Sequence, residues 1–247
     1  MSYKKVELAP NTALAKVVEE GKQVLSSKEV LEQKRQGQFL LYDIVTSDSV
    51  FYQSQGARGF VSLERNKEQN PLYKKARTAT NYLKKGEFRA GLDDTSITRI
   101  ITKGEGRIRV PLAGLELKSA AGEVYSFEFN PSDLSKLTQD QMRVINWMYG
   151  ENKELEANMK NIRDNSAFPG RILFLGEEYV MEQAKKGTIM RALRINGYRP
   201  AKNPGFSACT KGIGKANFLV IPQEDDAPIK IEPGLTQIVY ADPGKNK

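Results

Sequence analysis

The chain has 247 residues, 39% hydrophobic and 28% charged, so it can bury a core and is not a disordered polyelectrolyte. Lys and Arg number 38 against 30 Asp and Glu, a net charge of +8 that favours acidic partners. There is no histidine and one cysteine, Cys209, which excludes Ser-His-Asp and Cys-His nucleophile systems, HExxH zinc hydrolysis, Cys/His zinc sites and a disulfide framework.

In chain order, the N-terminus MSYKKVELAPN lacks the apolar stretch of a signal peptide. No apolar run approaches the ~18 residues of a membrane helix, so no span and no membrane partner are expected. Asn11 to Gln36 reads as helical, with Leu14, Val17, Val18, Val24 and Leu25 at helical spacing. Ser26 with Glu29 forms a capping box for a second helix that Gly37 ends. Phe39 to Val45 is a short strand. Val50 to Leu63 is a hairpin turning at Gly56-Ala57-Arg58-Gly59, where glycines supply positive φ. Asn70-Pro71 opens a helix to about Lys85.

Residues 96–129 read as a β-meander, closing with Val124 to Phe129, whose alternation gives one wet face. Pro131-Ser132-Asp133 starts helical material reaching Asn165, in which Trp147 is core packing. Arg171 to Gly176 is a strand, Glu177 to Asn196 a helix interrupted at Gly187, and Lys215 to Pro222 and Thr236 to Tyr240 are strands. Without regular βαβ alternation, the pattern is α+β with a mainly antiparallel sheet. We expect an N-terminal helical arm, residues 1–37, and a main domain, residues 38–247.

From Gln183 to Gln223 there is no acidic residue. This block carries Lys185, Lys186, Arg191, Arg194, Arg199, Lys202, Lys211 and Lys215, with Tyr198 and Phe206 interleaved. Cations can release counterions from a polyanion and aromatic faces can stack on bases. A second basic block, Phe51 to Gly91, has nine cations and three glutamates. The loops Thr102-Lys103-Gly104-Glu105-Gly106-Arg107 and Thr210-Lys211-Gly212-Ile213-Gly214-Lys215 share the form T-K-G-x-G-[K/R], but neither is a Walker A. Glu177-Glu178, after RILFLG, would repel a pyrophosphate and suits the helix dipole instead. Cys209 lies beside basic residues but has no imidazole to activate it.

Asp93/Asp94 followed by Glu116-Leu117-Lys118 resembles the acid…acid-x-Lys pattern of PD-(D/E)xK nucleases, although Leu92 stands where their proline precedes the first acid. The resemblance implies carboxylates holding Mg²⁺ and a lysine positioning water. The expectation drawn from the whole chain is a non-catalytic protein that binds the phosphate backbone of DNA or RNA with weak sequence specificity, without cofactor or metal. An architectural subunit of a multi-copy assembly, such as a virion or nucleocapsid, is the alternative, and a metal-dependent nuclease the second. Self-assembly or protein docking would use the N-terminal arm. The expected location is the cytoplasm, or a viral particle if the chain assembles.

Overall fold

Gly56 and Ala57 make a two-residue turn in the large sheet. The computed structural model describes residues 3–4, 23–36, 44–65, 88–90, 106–121, 124–165, 169–195, 207–209, 237–238 and 240–241. Gly56 has φ +59°, a left-handed conformation that glycine adopts without a Cβ clash. It joins β3 (Ile44–Gln55) to β4 (Arg58–Glu64) in a two-residue hairpin that pairs Gln55 with Arg58. Of the four expected turn residues, Arg58 and Gly59 belong to the strand.

Before the hairpin come β1 (Tyr3–Lys4), β2 (Gln23–Val24) and α1 (Ser27–Arg35). The expected capping box is present: Ser26 caps α1, and Glu29 bonds back to the Ser26 N–H at 2.7 Å. This helix lies against β3 and α2 (Gln139–Tyr149), and Leu25, Val30 and Leu31 are buried in the common core. Its first turn is anchored where Ser27 N–H donates to Asp48 at 2.9 Å. The N-terminal helix is thus seated on the body.

The remaining strands are β5 (Phe88–Ala90), β6 (Ile108–Pro111), β7 (Lys118–Ala121), β8 (Val124–Phe129), β9 (Gly170–Leu175), β10 (Thr188–Ile195), β11 (Ser207–Cys209), β12 (Gln237–Ile238) and β13 (Tyr240–Ala241). β1, β13 and β2 form a small antiparallel sheet. The large sheet runs β6-β4-β3-β10-β11-β9-β8-β7, with β12 also on β3 and β5 on β10. Its pairs are antiparallel except β11 with β9 and β12 with β3. The fold class is α+β with mainly antiparallel pairing, as expected.

β6 and β7 are not neighbours in a meander but the two ends of this path. A flat sheet would hold its end strands about 34 Å apart at ~4.8 Å per strand. The link from Pro111 to Lys118 contains a 3₁₀ turn, Ala113–Leu115, and could span at most about 25 Å if fully extended. The sheet therefore curls. Tyr52 on β3 shows the same closure: its hydroxyl accepts from Leu175 N–H on β9 at 3.3 Å, across two intervening strands. Inside the curl, Tyr52, Val61, Val110, Phe127, Phe174 and Ile189 share one core.

Three expectations about helices need correction. Within the helix expected from Asn11 to Gln36, Gln23–Val24 is strand β2, paired with β13, and residues 11–22 lie outside the described residues. The material after Pro131 is not helical from the start: α2 begins at Gln139, capped by Thr138 with a Gln141 capping box. It stops at Gly150 (φ +84°), and α3 (Asn152–Asn165) follows. The helix expected from Glu177 to Asn196 ends far earlier. α4 spans Glu177–Gln183, a 3₁₀ turn covers Ala184–Lys186, and Gly187 (φ +128°) breaks away. TIMRALRI is β10, held between β3 and β11. A strand covered on both faces shows no period-2 alternation to read, and β-branched Thr188, Ile189 and Ile195 were its only local signal. Trp147 is core as expected; its indole N–H donates to Gly106 O, and the Arg65 guanidinium stands 4.4 Å from its ring centroid. Of the strand expected from Phe39 to Val45, Ile44 and Val45 open β3, and residues 39–43 lie outside the described residues, as do the expected helix at 70–85 and strand at 215–222. Among the described residues, no helix is long and apolar enough to cross a membrane.

Candidate functional site: a polar groove at the open end of the sheet

The β7–β8 hairpin ends the large sheet. Lys118 pairs with Ser126 and Ser119 with Tyr125. β8 pairs with β9 along its whole length, from Val124↔Leu175 to Phe129↔Gly170. Along β8, Phe127 and Phe129 are buried and Glu128 is exposed, as the alternation predicts, but Ser126 on the expected wet face is buried as well.

The chain after β8 is folded by its own short polar side chains. Asn130 Oδ1 accepts from Ser132 N–H at 3.0 Å, and Asp133 N–H donates back to Asn130 O at 3.0 Å. Asp133 Oδ1 accepts both from Ser135 N–H at 3.0 Å and from Ser135 Oγ at 2.6 Å. These Asx-type turns let Asn and Asp shape the backbone at little cost. The two Ser135 bonds favour the charged form of Asp133 and hold its pKa below the ordinary aspartate value, with Lys136 adding attraction.

Thr138 and Gln141 then tie this loop to the other wall. Thr138 Oγ1 donates to Gly114 O at 2.8 Å, and Gln141 Nε2 donates to Leu115 O at 2.7 Å. Between the walls lies a groove of about 550 Å³. Its lining includes Glu116, Lys118, Glu128, Asp133, Lys136 and Arg171, three carboxylates and three cations, with Asn130, Ser119, Ser126 and Gln141 between them. Arg171 on β9 binds Glu128 on β8, its Nε 2.9 Å from Oε1 and its NH2 on the same oxygen. Both side chains are about half exposed, so this pair contributes little stability, at most ~1 kcal/mol. Its consequence is local: it fixes a charged pair on the floor of an open groove.

Of the sequence-derived site residues, the described ones, Lys185, Lys186, Arg191 and Arg194, do not line this groove. Lys185 is exposed on the 3₁₀ turn after α4, and Lys186 shares that turn. Arg191 and Arg194 lie on β10, opposite Val50 and Val45 of β3. Arg191 is 7% exposed, and a guanidinium so placed does not present itself to a polyanion. Tyr198, Arg199, Lys202, Phe206, Lys211 and Lys215 lie outside the described residues, as do Asp93, Asp94 and most of both T-K-G-x-G loops. Cys209 is on β11.

The nuclease-like pattern also fails locally. Glu116 and Lys118 do not share a strand: Glu116 closes the 3₁₀ turn with φ +46°, and β7 starts only at Lys118. Among the described residues, no group of three or more His, Cys, Asp or Glu is close enough to hold a metal ion. Glu177 has a structural use, accepting from Gly59 N–H at 3.0 Å and so fastening α4 to β4.

Sequence reasoning missed the groove. Asn130, Asp133 and Ser135 carried its turn chemistry, but only tertiary pairing sets Glu128 beside Arg171, 43 residues away.

Compared with known proteins, the chain matches no family model and no curated protein. It is similar to a solved structure from Nanoarchaeota described as the accommodation of massive sequence variation by the C-type lectin fold. Identity is 11% and the TM-score 0.53, over 85% of this chain and 93% of that one. The likeness is one of fold. A lectin-like fold points away from the nucleic-acid-binding protein expected from the sequence, and that expectation is corrected accordingly. Part of the basic block that suggested it, Thr188–Ile195, is a central strand, and Arg191 on it is buried.

Proposed function

We propose that this lectin-like chain is a non-catalytic recognition protein that takes a polar ligand into the groove between β8 and the 130–137 loop. The observation that carries this is the groove itself: about 550 Å³, lined by three carboxylates and three cations on strands and turns that their own hydrogen bonds hold in place. A rigid first layer of side chains lowers the ordering cost of binding. The volume is in the range of small-ligand sites, and polar groups of both signs fix orientation more than they supply raw affinity. The structural neighbour supports the same reading, because its fold is described as accommodating massive sequence variation. A scaffold that holds its shape while surface residues change is suited to recognition, since function resides in the site and not in the fold.

The test is retention from two immobilised panels, one of glycans and one of short peptides, by the wild-type protein and by Arg171→Glu. This substitution sets two carboxylates together on the groove floor, on side chains too exposed to support the core. Ligands retained by the wild type should be lost by the variant at unchanged Tm. Retention of the same ligands by both proteins, or of none by either, would contradict the proposal.

A further inference from the structure

Among the described residues, no strand covers β8 to its end on the side away from β9. β9 pairs with all six of its residues, whereas β7 pairs only with Val124, Tyr125 and Ser126. Glu116 is the reason: its left-handed backbone, φ +46° and ψ +48°, turns the chain out of the sheet immediately before β7 begins. On the side away from β9, Phe127, Glu128 and Phe129 border the groove instead of a strand. The other end of the sheet is treated differently. There Arg143 on α2 donates to Arg109 O on β6 at 3.1 Å, so a helix side chain covers the edge. An open strand edge is a template for main-chain pairing, and this one lies inside a groove with defined walls.

We propose that the groove is a strand-addition site, in which an extended peptide of a partner protein pairs with Phe127–Phe129 and carries one basic residue between two apolar ones. The inference rests on the groove being the recognition surface and adds the class of ligand. An added strand follows the alternation of β8. Its central residue stands opposite Glu128, a half-exposed side chain whose Arg171 bonds both fall on Oε1. Glu116 lines the same groove, so a Lys or Arg there meets two carboxylates. The residues on either side turn inward, beside Phe127, Phe129 and Leu137, where apolar groups fit. One register step further along the outer face stands Lys118, paired with Ser126, which disfavours a second basic residue. The preferred core of the peptide is apolar–basic–apolar.

The probe is a fluorescein-labelled peptide, Ser-Val-Lys-Val-Thr-Ser, titrated into the full chain and followed by anisotropy, with amide hydrogen exchange on the complex. Binding should slow exchange within residues 127–129. Methylating the peptide's backbone nitrogens should weaken binding about tenfold, the equivalent of one to two main-chain hydrogen bonds. Glu128→Lys should reverse preference toward Ser-Val-Glu-Val-Thr-Ser. Binding that ignores N-methylation, or slows no amide in 127–129, overturns strand addition. The N-methylated peptide makes this test on the wild-type protein, so it stands even if the variant fails to fold. If the peptide does not bind while a panel glycan is retained and Arg171→Glu loses it, strand addition fails and the recognition reading stands. If neither class is retained, both fail.

Discussion

Asp48 is a buried charge held by two elements. It is fully buried on β3, accepts from both the main chain and the hydroxyl of Ser27, and has Arg65 Nε at 3.9 Å. Burial lowers the pKa of Arg65, while Asp48 and Glu154 raise it again. Asp48→Ala would leave a mostly buried guanidinium without this carboxylate and a buried Ser27 without its acceptor. We expect a loss of about 3–5 kcal/mol in urea unfolding, the scale for breaking a buried ion pair from one side. Asp133 gives a pH prediction of opposite character, on the surface. Its folded-state pKa is depressed, so its contribution is present above the ordinary aspartate value of about 3.9 and is lost as pH falls through the lower folded value. Carboxyl NMR should place its midpoint below that of an unstructured aspartate, and Ser135→Ala should raise it. An unchanged midpoint in the variant would remove the Ser135 hydroxyl as the cause, since the Ser135 N–H bond survives the substitution. Neither role could be read from the sequence as a certainty, but they differ in kind. Asp133-x-Ser135 is a local turn signature, whereas Asp48 meets Ser27 only through the tertiary fold.

At the scale of elements, what was legible depended on whether the signal was local. The Ser26 capping box, the Gly56 turn and the alternating β8 are short-range features, and the structure contains each of them. β10 and the separation of β6 from β7 were not legible, because their partners come from distant parts of the chain. The pairing of β8 with β9 shows how closely such partners fit. Gly170 stands opposite Phe129, and a Cβ added there would lie 2.1–2.5 Å from the Phe129 ring. Phe129 is itself buried and packs 5.6 Å from the Tyr149 ring. Gly170→Ala must therefore displace an aromatic ring from the core, and we expect about 1–3 kcal/mol of destabilisation, the usual cost of overpacking. A variant as stable as the wild type would show that the ring relaxes freely. The same displacement reaches the β8 edge and should weaken groove binding as well.

For the whole molecule, the curl of the sheet brings its two ends into one short link and sets the N-terminal helix against the core. Sequence patterning alone suggests an arm over residues 1–37, because α1 is amphipathic and self-capped. In the structure Leu25, Val30 and Leu31 are 3%, 1% and 3% exposed. Deleting residues 1–36 should consequently abolish the cooperative thermal transition, since three large apolar side chains and the Ser27–Asp48 bonds leave together. A truncated protein with an intact, cooperative transition would restore the arm. α+β class and antiparallel pairing follow from composition and spacing. The curl does not, because it is a property of strand order, which no local pattern encodes.

On the proposed function, ligands are recognised at the groove beside β8. Amide chemical-shift mapping of the full chain tests it most directly, using a ligand retained in the panel screen. Shifts should concentrate at residues 116–120, 126–137 and 171 and vanish in Arg171→Glu. Shifts concentrated on another surface, with these residues unmoved, would contradict it.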